Sequence, residues 1–134
     1  MNIKKVLILF AIVLSIVACN KDDNENSKFI GKWEIVKVSG GLSGKGYTPY
    51  FKYLYFVDND ACKWTNKNDK FIVDGTYSLR NKSGKDYISF YPKNDTAIYN
   101  FYSHKLEYEF LSNDSLYMNQ GCCDLYDYIF VKVK

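Results

Sequence analysis

Few residues in this chain have the type and spacing to do chemistry. Past residue 19 there are three cysteines, Cys62, Cys122 and Cys123, and one histidine, His104. A lone His with no Cys, Asp or Glu at matched spacing does not make a metal site, so His104 reads as a hydrogen-bonded structural residue. Asp58-Asn59-Asp60 opens like a calcium loop, but Lys63 stands where the invariant glycine of such a loop belongs. The carboxylates Asp58, Asp60, Asp124 and Asp127 fall in turns or on an outward strand face. No Ser, His and Asp arrangement, phosphate loop or His-Glu-x-x-His is present. These residues argue against an enzyme and call for no metal or cofactor.

The fourth cysteine, Cys19, sits in a different setting. Met1 to Lys5 is a positive n-region, Val6 to Val17 is apolar except for Ser15, and Ala18 precedes Cys19. That is the pattern of a signal peptide, and the apolar stretch falls short of the roughly 20 residues a membrane-spanning helix needs. Ile16-Val17-Ala18-Cys19 resembles the lipobox of bacterial lipoproteins. The resemblance implies cleavage after residue 18 and acylation of Cys19, so that membrane lipid is the first expected partner. Several acyl chains hold firmly where one is marginal, each buried CH₂ contributing about 0.8 kcal/mol. The run from Asn20 to Ser27 has no apolar residue and reads as a solvated tether. Its Lys21-Asp22-Asp23 is similar to a sorting signal that sends some lipoproteins to the outer face of the outer membrane; a charged linker is the other reading. The expected organisation is therefore a signal over 1–18, a lipidated Cys and tether over 19–28, and a folded domain over 29–134, anchored at the outer membrane.

Removal of residues 1–18 from the 134 leaves 116, enough for one domain. The net charge of +3 includes Lys4 and Lys5. The mature chain is thus near neutral, which argues against nucleic acid as a partner, since that wants a basic face. Thirteen Tyr, nine Phe and two Trp make 18% of the residues aromatic, a composition that suits half-buried pleated surfaces.

Strand-like alternation recurs along the whole domain. Phe29 to Val38 alternates apolar with charged residues, placing Trp33 and Ile35 on one face. Residues 39–49 hold Gly40, Gly41, Gly44 and Gly46, a candidate lid. Further strands are predicted over 50–57, 62–65, 71–79 and 87–91, then over 96–111 either two short strands or, as the shared parity of Ile98, Tyr102, Leu106, Tyr108 and Phe110 favours, one long bent strand, then 116–118 and 126–133, separated by polar turns. The expected fold is all-β, an eight-stranded antiparallel up-and-down barrel, whose even strand number lets the last strand pair with the first and remove both edges.

Gly31-x-Trp33 heading the first strand, the Gly-rich first loop and Lys132 ending the last strand resemble the lipocalin and calycin pattern. With the lipobox in front, the chain is similar to the lipocalin-like domains of small bacterial lipoproteins. The resemblance implies a barrel closed at one end by Gly31, Trp33 and Lys132, the ammonium of Lys132 lying over the indole where the family has an arginine. If the barrel opens at the Gly-rich loop, strand alternation puts Tyr50, Lys52, Phe71, Tyr102 and Tyr126 inward near that mouth. A barrel of this size holds one small ligand or is filled by its own side chains. The expectations are a monomer that takes a small apolar or aromatic ligand in the mouth, or a filled barrel that docks a protein or glycan. Lys52 serves an acidic ligand head or reaches for water.

In this fold Cys62 falls near the closed end and Cys122 and Cys123 near the mouth. A disulfide needs Cα atoms within about 7 Å, so this placement disfavours a bond from Cys62 to Cys122 or Cys123; the alternatives are a ring between Cys122 and Cys123, or free thiols. Asp95-Thr96-Ala97 and Asp114-Ser115-Leu116 resemble an O-glycosylation acceptor of exported bacterial proteins, and both are also ordinary turn sequences.

Overall fold

The computed structural model describes residues 21–94, 98, 101, 105–121 and 125–134. Cys19, Thr96, Tyr102, His104, Cys122, Cys123 and Asp124 lie outside them. A helix, α1 (Lys21–Phe29), leads into eight strands: β1 (Gly31–Gly40), β2 (Tyr53–Phe56), β3 (Ala61–Thr65), β4 (Phe71–Lys82), β5 (Lys85–Pro92), β6 (Leu106–Ser112), β7 (Ser115–Asn119) and β8 (Tyr126–Lys132). Each strand pairs antiparallel with the next, and β8 returns to β1 to close the barrel. The closing seam runs from Trp33 opposite Lys132 to Gly40 opposite Tyr126.

Alternation builds this wall because one face of each strand meets the core. Trp33 and Ile35, Leu54 and Phe56, Cys62 and Trp64, Val73 and Tyr77, Ile88 and Phe90, Leu106 and Tyr108, Leu116 and Met118, and Tyr128 and Phe130 are buried in successive pairs. Ser83 and Gly84 both have positive φ, the backbone of a two-residue turn whose twist matches the strands it joins. Gly75 lies at a close approach of β4 and β5: a Cβ there would stand 2.5 Å from the Tyr91 carbonyl oxygen.

Aromatic rings run down the barrel axis in contact. From Phe29 the chain of rings passes to Phe56 at 5.0 Å, Phe90 at 6.1 Å, Phe101 at 5.0 Å and Tyr128 at 5.0 Å. It reaches Tyr47 at 6.4 Å from Tyr128, and Tyr126 at 4.7 Å from Tyr47. Tilted and edge-on pairs dominate, the geometry aromatic quadrupoles prefer.

Three expectations are corrected. The tether is helical from Lys21 to Phe29, and Phe29 is buried as a plug at the end of the barrel where β1 begins. Among the described residues of the long strand expected over 96–111, only those from Leu106 onward are strand, in β6; Ile98 and Phe101 are instead joined by a hydrogen bond from the Phe101 amide to the Ile98 carbonyl (2.9 Å), and both are buried in the core. Phe71 does not face inward and is 64% exposed. The pairing of β3 with β4 skips Ile72 between Val73 and Phe71, and this extra residue turns the Phe71 side chain off the face that Val73 occupies.

Candidate binding site

The three residues expected at the closed end meet there. Gly31 has φ 127°, and a Cβ on it would stand 3.1 Å from Lys132 Cε, so the lysine stem lies flat across the glycine. Lys132 Nζ sits 5.2 Å from the Trp33 ring centroid and donates to the Lys28 carbonyl at 3.1 Å. Trp33 Nε1 donates to the Phe29 carbonyl at 2.6 Å. The last carbonyls of α1 thus have partners, which a helix end needs when it is packed against a core. Tyr108 adds a bond from its hydroxyl to Glu25 Oε1, 3.1 Å.

The mouth end is built by a mismatch in strand length. β1 and β2 pair only from Gly31 to Glu34, yet β1 continues to Gly40 beside β8. Val36 is an extra residue in the β1 to β8 pairing, bulging the strand at the level where β2 gives out. The wall therefore opens between β1 and the segment over 47–52. A cleft of about 600 Å³ fills the gap, bounded by the upper half of β1, that segment, and the turn over 66–68. Buried Ile35 and Phe51 lie at its floor, and Tyr50, 68% exposed, stands at its side.

Its charge is one-signed. Lys37, Lys52 and Lys67 line the cleft and no carboxylate does. Lys52 is the least available, because its ammonium bonds Glu34 at 2.8 Å and the Ile35 carbonyl at 3.1 Å. The 66–68 turn is fixed from outside the cleft. Asp69, at φ 59°, accepts from Tyr55 (2.7 Å), Lys32 (2.9 Å) and Thr65 (2.7 Å), and these bonds, that of Tyr55 first, hold its carboxyl well below the usual range. Asn66 Oδ1 accepts the amides of Asn68 and Lys70, closing the same turn.

No protein-family model, curated protein or solved structure matches the chain. The site therefore stands on its own geometry.

Of the residues expected at the mouth, Tyr50 and Lys52 border the cleft. Tyr126 stands at the barrel lip against Tyr47, and its ring approaches within 2.8 Å of where a Gly41 Cβ would be. Phe71 points to solvent, and Tyr102 is outside the described residues. Sequence reasoning missed Tyr47, Phe51, the 66–68 turn and buried Gln120. Gln120 Nε2 donates to the Tyr128 hydroxyl (3.1 Å), Gln120 Oε1 accepts the Tyr126 amide (3.1 Å), and the Tyr47 and Tyr128 hydroxyls are 3.4 Å apart. Burial drives the Tyr128 and Tyr47 hydroxyls above the ordinary phenol range, so this network is neutral. A glutamine in a polar loop carries no signal of burial, and only an aromatic run near the mouth hints at such a network.

Cys62 is buried, and burial pushes its thiol up to about 12, which leaves it protonated and unreactive. Ser115 opens β7 opposite Val131. Among the described residues no three of His, Cys, Asp or Glu converge as a metal site would require.

Proposed function

We propose that the chain is a lipocalin-like binding module, lipid-anchored through Cys19 at the outer membrane, that holds a small apolar or aromatic molecule in the wall cleft beside the barrel mouth. One observation carries the reading: a cleft of about 600 Å³ with an apolar floor and an exposed tyrosine, within the size range of small-molecule sites. The rings in contact along the axis argue for this cleft over the barrel interior. Tyr50 supplies a face for stacking, and Lys37 and Lys67 supply charge at the rim.

Native mass spectrometry of the full lipidated chain, extracted from its host in neutral detergent, tests this. The expected result is a small-molecule adduct that organic extraction removes and that Tyr50→Ala protein lacks. A bare protein mass that extracts of host cells never shift would end the small-molecule reading. A protein or glycan partner docking on the lip would then be favoured, on the exposure of Tyr50 and of Leu42, 93% exposed in the lid loop. Release of Cys19→Ala protein from membranes tests the anchor separately.

A further inference from the structure

The closed end carries a second hollow, of about 440 Å³, lined by Ser27 and Lys28 of α1, Phe110 and Ser112 of β6, Asn113 of the next turn and Lys132 of β8. Its polar chemistry is one-sided: two ammonium groups, two hydroxyls and an amide, with no carboxylate. Lys132 Nζ is held in place by the Lys28 carbonyl and the Trp33 ring, and an ammonium so placed keeps N–H donors to spare. Lys28 Nζ lies 5.8 Å from the Phe110 ring centroid. Ser112 Oγ accepts the Asp114 amide at 3.3 Å, which leaves its own proton to donate. The nearby Asp114 carboxylate is occupied by Lys134 at 3.2 Å.

A helix C-terminus repels anions through its unpaired carbonyls. Here the carbonyls of Lys28 and Phe29 already accept from Lys132 and Trp33, so the hollow shows a ligand donors rather than acceptors. A compact group with negative charge and several acceptor oxygens matches that set, and phosphate is the group of that shape. Position supports the same reading. α1 starts two residues after Cys19, and its nine residues span about 13 Å at 1.5 Å each, so the hollow lies close to the proposed anchor.

We propose that this hollow binds a phosphate group, with Lys28 and Lys132 supplying charge and Ser112 and Asn113 further donors. Phospholipid headgroups and soluble phosphates share this chemistry. A headgroup bound there sets the closed end on the membrane and turns the wall cleft away from it.

The test is site-resolved labelling of lysines with an amine-acylating reagent on the full lipidated chain. The arms are neutral detergent with and without inorganic phosphate, and vesicles of phosphatidylcholine with and without phosphatidylglycerol. At a ligand concentration ten times Kd, labelling of Lys28 and Lys132 falls about tenfold. Lys37 and Lys67 at the mouth stay constant, as does Lys82 on the β4 to β5 hairpin at the same end. Protection by inorganic phosphate in detergent identifies a soluble source, and protection confined to phosphatidylglycerol vesicles identifies the headgroup. In Lys28→Gln protein, whose altered side chain is exposed and reaches over the half-buried Phe110 ring, protection of Lys132 drops severalfold in the same arm. Unchanged labelling in every arm overturns the proposal, as does protection by vesicles that extends equally to Lys82. The detergent arms do not depend on the anchor, so failure of the site and failure of the anchor are told apart.

Discussion

Replacing Phe29 with Ala tests whether α1 belongs to the folded domain or merely precedes it. The ring is fully buried, with centroids at 4.8 Å from Phe110, 5.0 Å from Phe56 and 5.0 Å from Tyr108. Truncation keeps the Phe29 carbonyl that accepts from Trp33, so the loss is confined to packing. A buried Phe→Ala change costs about 3–5 kcal/mol, a large share of the roughly 5–15 kcal/mol that holds a domain folded. With an unfolding slope of about 1–3 kcal/mol per molar urea, the midpoint should fall by about 2 M. Urea unfolding followed by tryptophan fluorescence reads this directly, since Trp33 lies beside the plug. Lys28→Gln, one residue earlier and exposed, should leave the midpoint within about 0.3 M, the scale of a surface change. If Phe29→Ala moved the midpoint no further than Lys28→Gln, the ring would not be a plug and the closed end described above would be wrong.

Two further outcomes follow from packing and burial. Gly75→Ala should destabilise by at least the 1–3 kcal/mol typical of overpacking, because its Cβ would meet the Tyr91 carbonyl at 2.5 Å and that oxygen belongs to backbone; a urea midpoint equal to wild type would contradict the close approach of β4 and β5. Burial raises the Cys62 thiol and the Tyr77 hydroxyl to about 12 each in the folded state, from ordinary values of 9.0 and 10.0. The folded form therefore holds these protons more tightly, so their contribution is constant below about pH 9 and is lost as pH rises toward 12. Urea midpoints measured across that range should decline steeply, and Cys62 should resist alkylation until the protein unfolds. A flat midpoint, or alkylation of the native protein, would show that these groups are not buried as described.

The barrel was legible because its strands each bury one face, and period-two patterning reports that directly. Tyr53 to Phe56 and Tyr126 to Lys132 are visible in the residues alone. The rest depends on interactions between distant segments. Nothing in Lys-Asp-Asp-Asn-Glu-Asn-Ser-Lys announces a helix with a role; α1 is placed by Phe29, whose side chain and carbonyl find partners on β1, β2 and β6. Ile72 looks like any strand residue, and only the register with β3 makes it the one that turns Phe71 outward. Alternation above Tyr53 predicted Tyr50 inward, but β2 has ended there and the irregular chain buries Phe51 instead. The wall cleft was invisible for the same reason, since it arises from the difference in length between β1 and β2.

Lys132 also bears on how the molecule is assembled. It is the partner of Trp33 in the closing seam, and its ammonium ties down the end of α1. Barrel closure and docking of the helix thus share one residue, about a hundred positions from the strand it completes. Contacts of such sequence separation form late and make folding slow, because the loop must close before any pairing stabilises it. A chain still emerging from synthesis has no seam, and the end of α1 gains its lysine tie only when the last strand arrives.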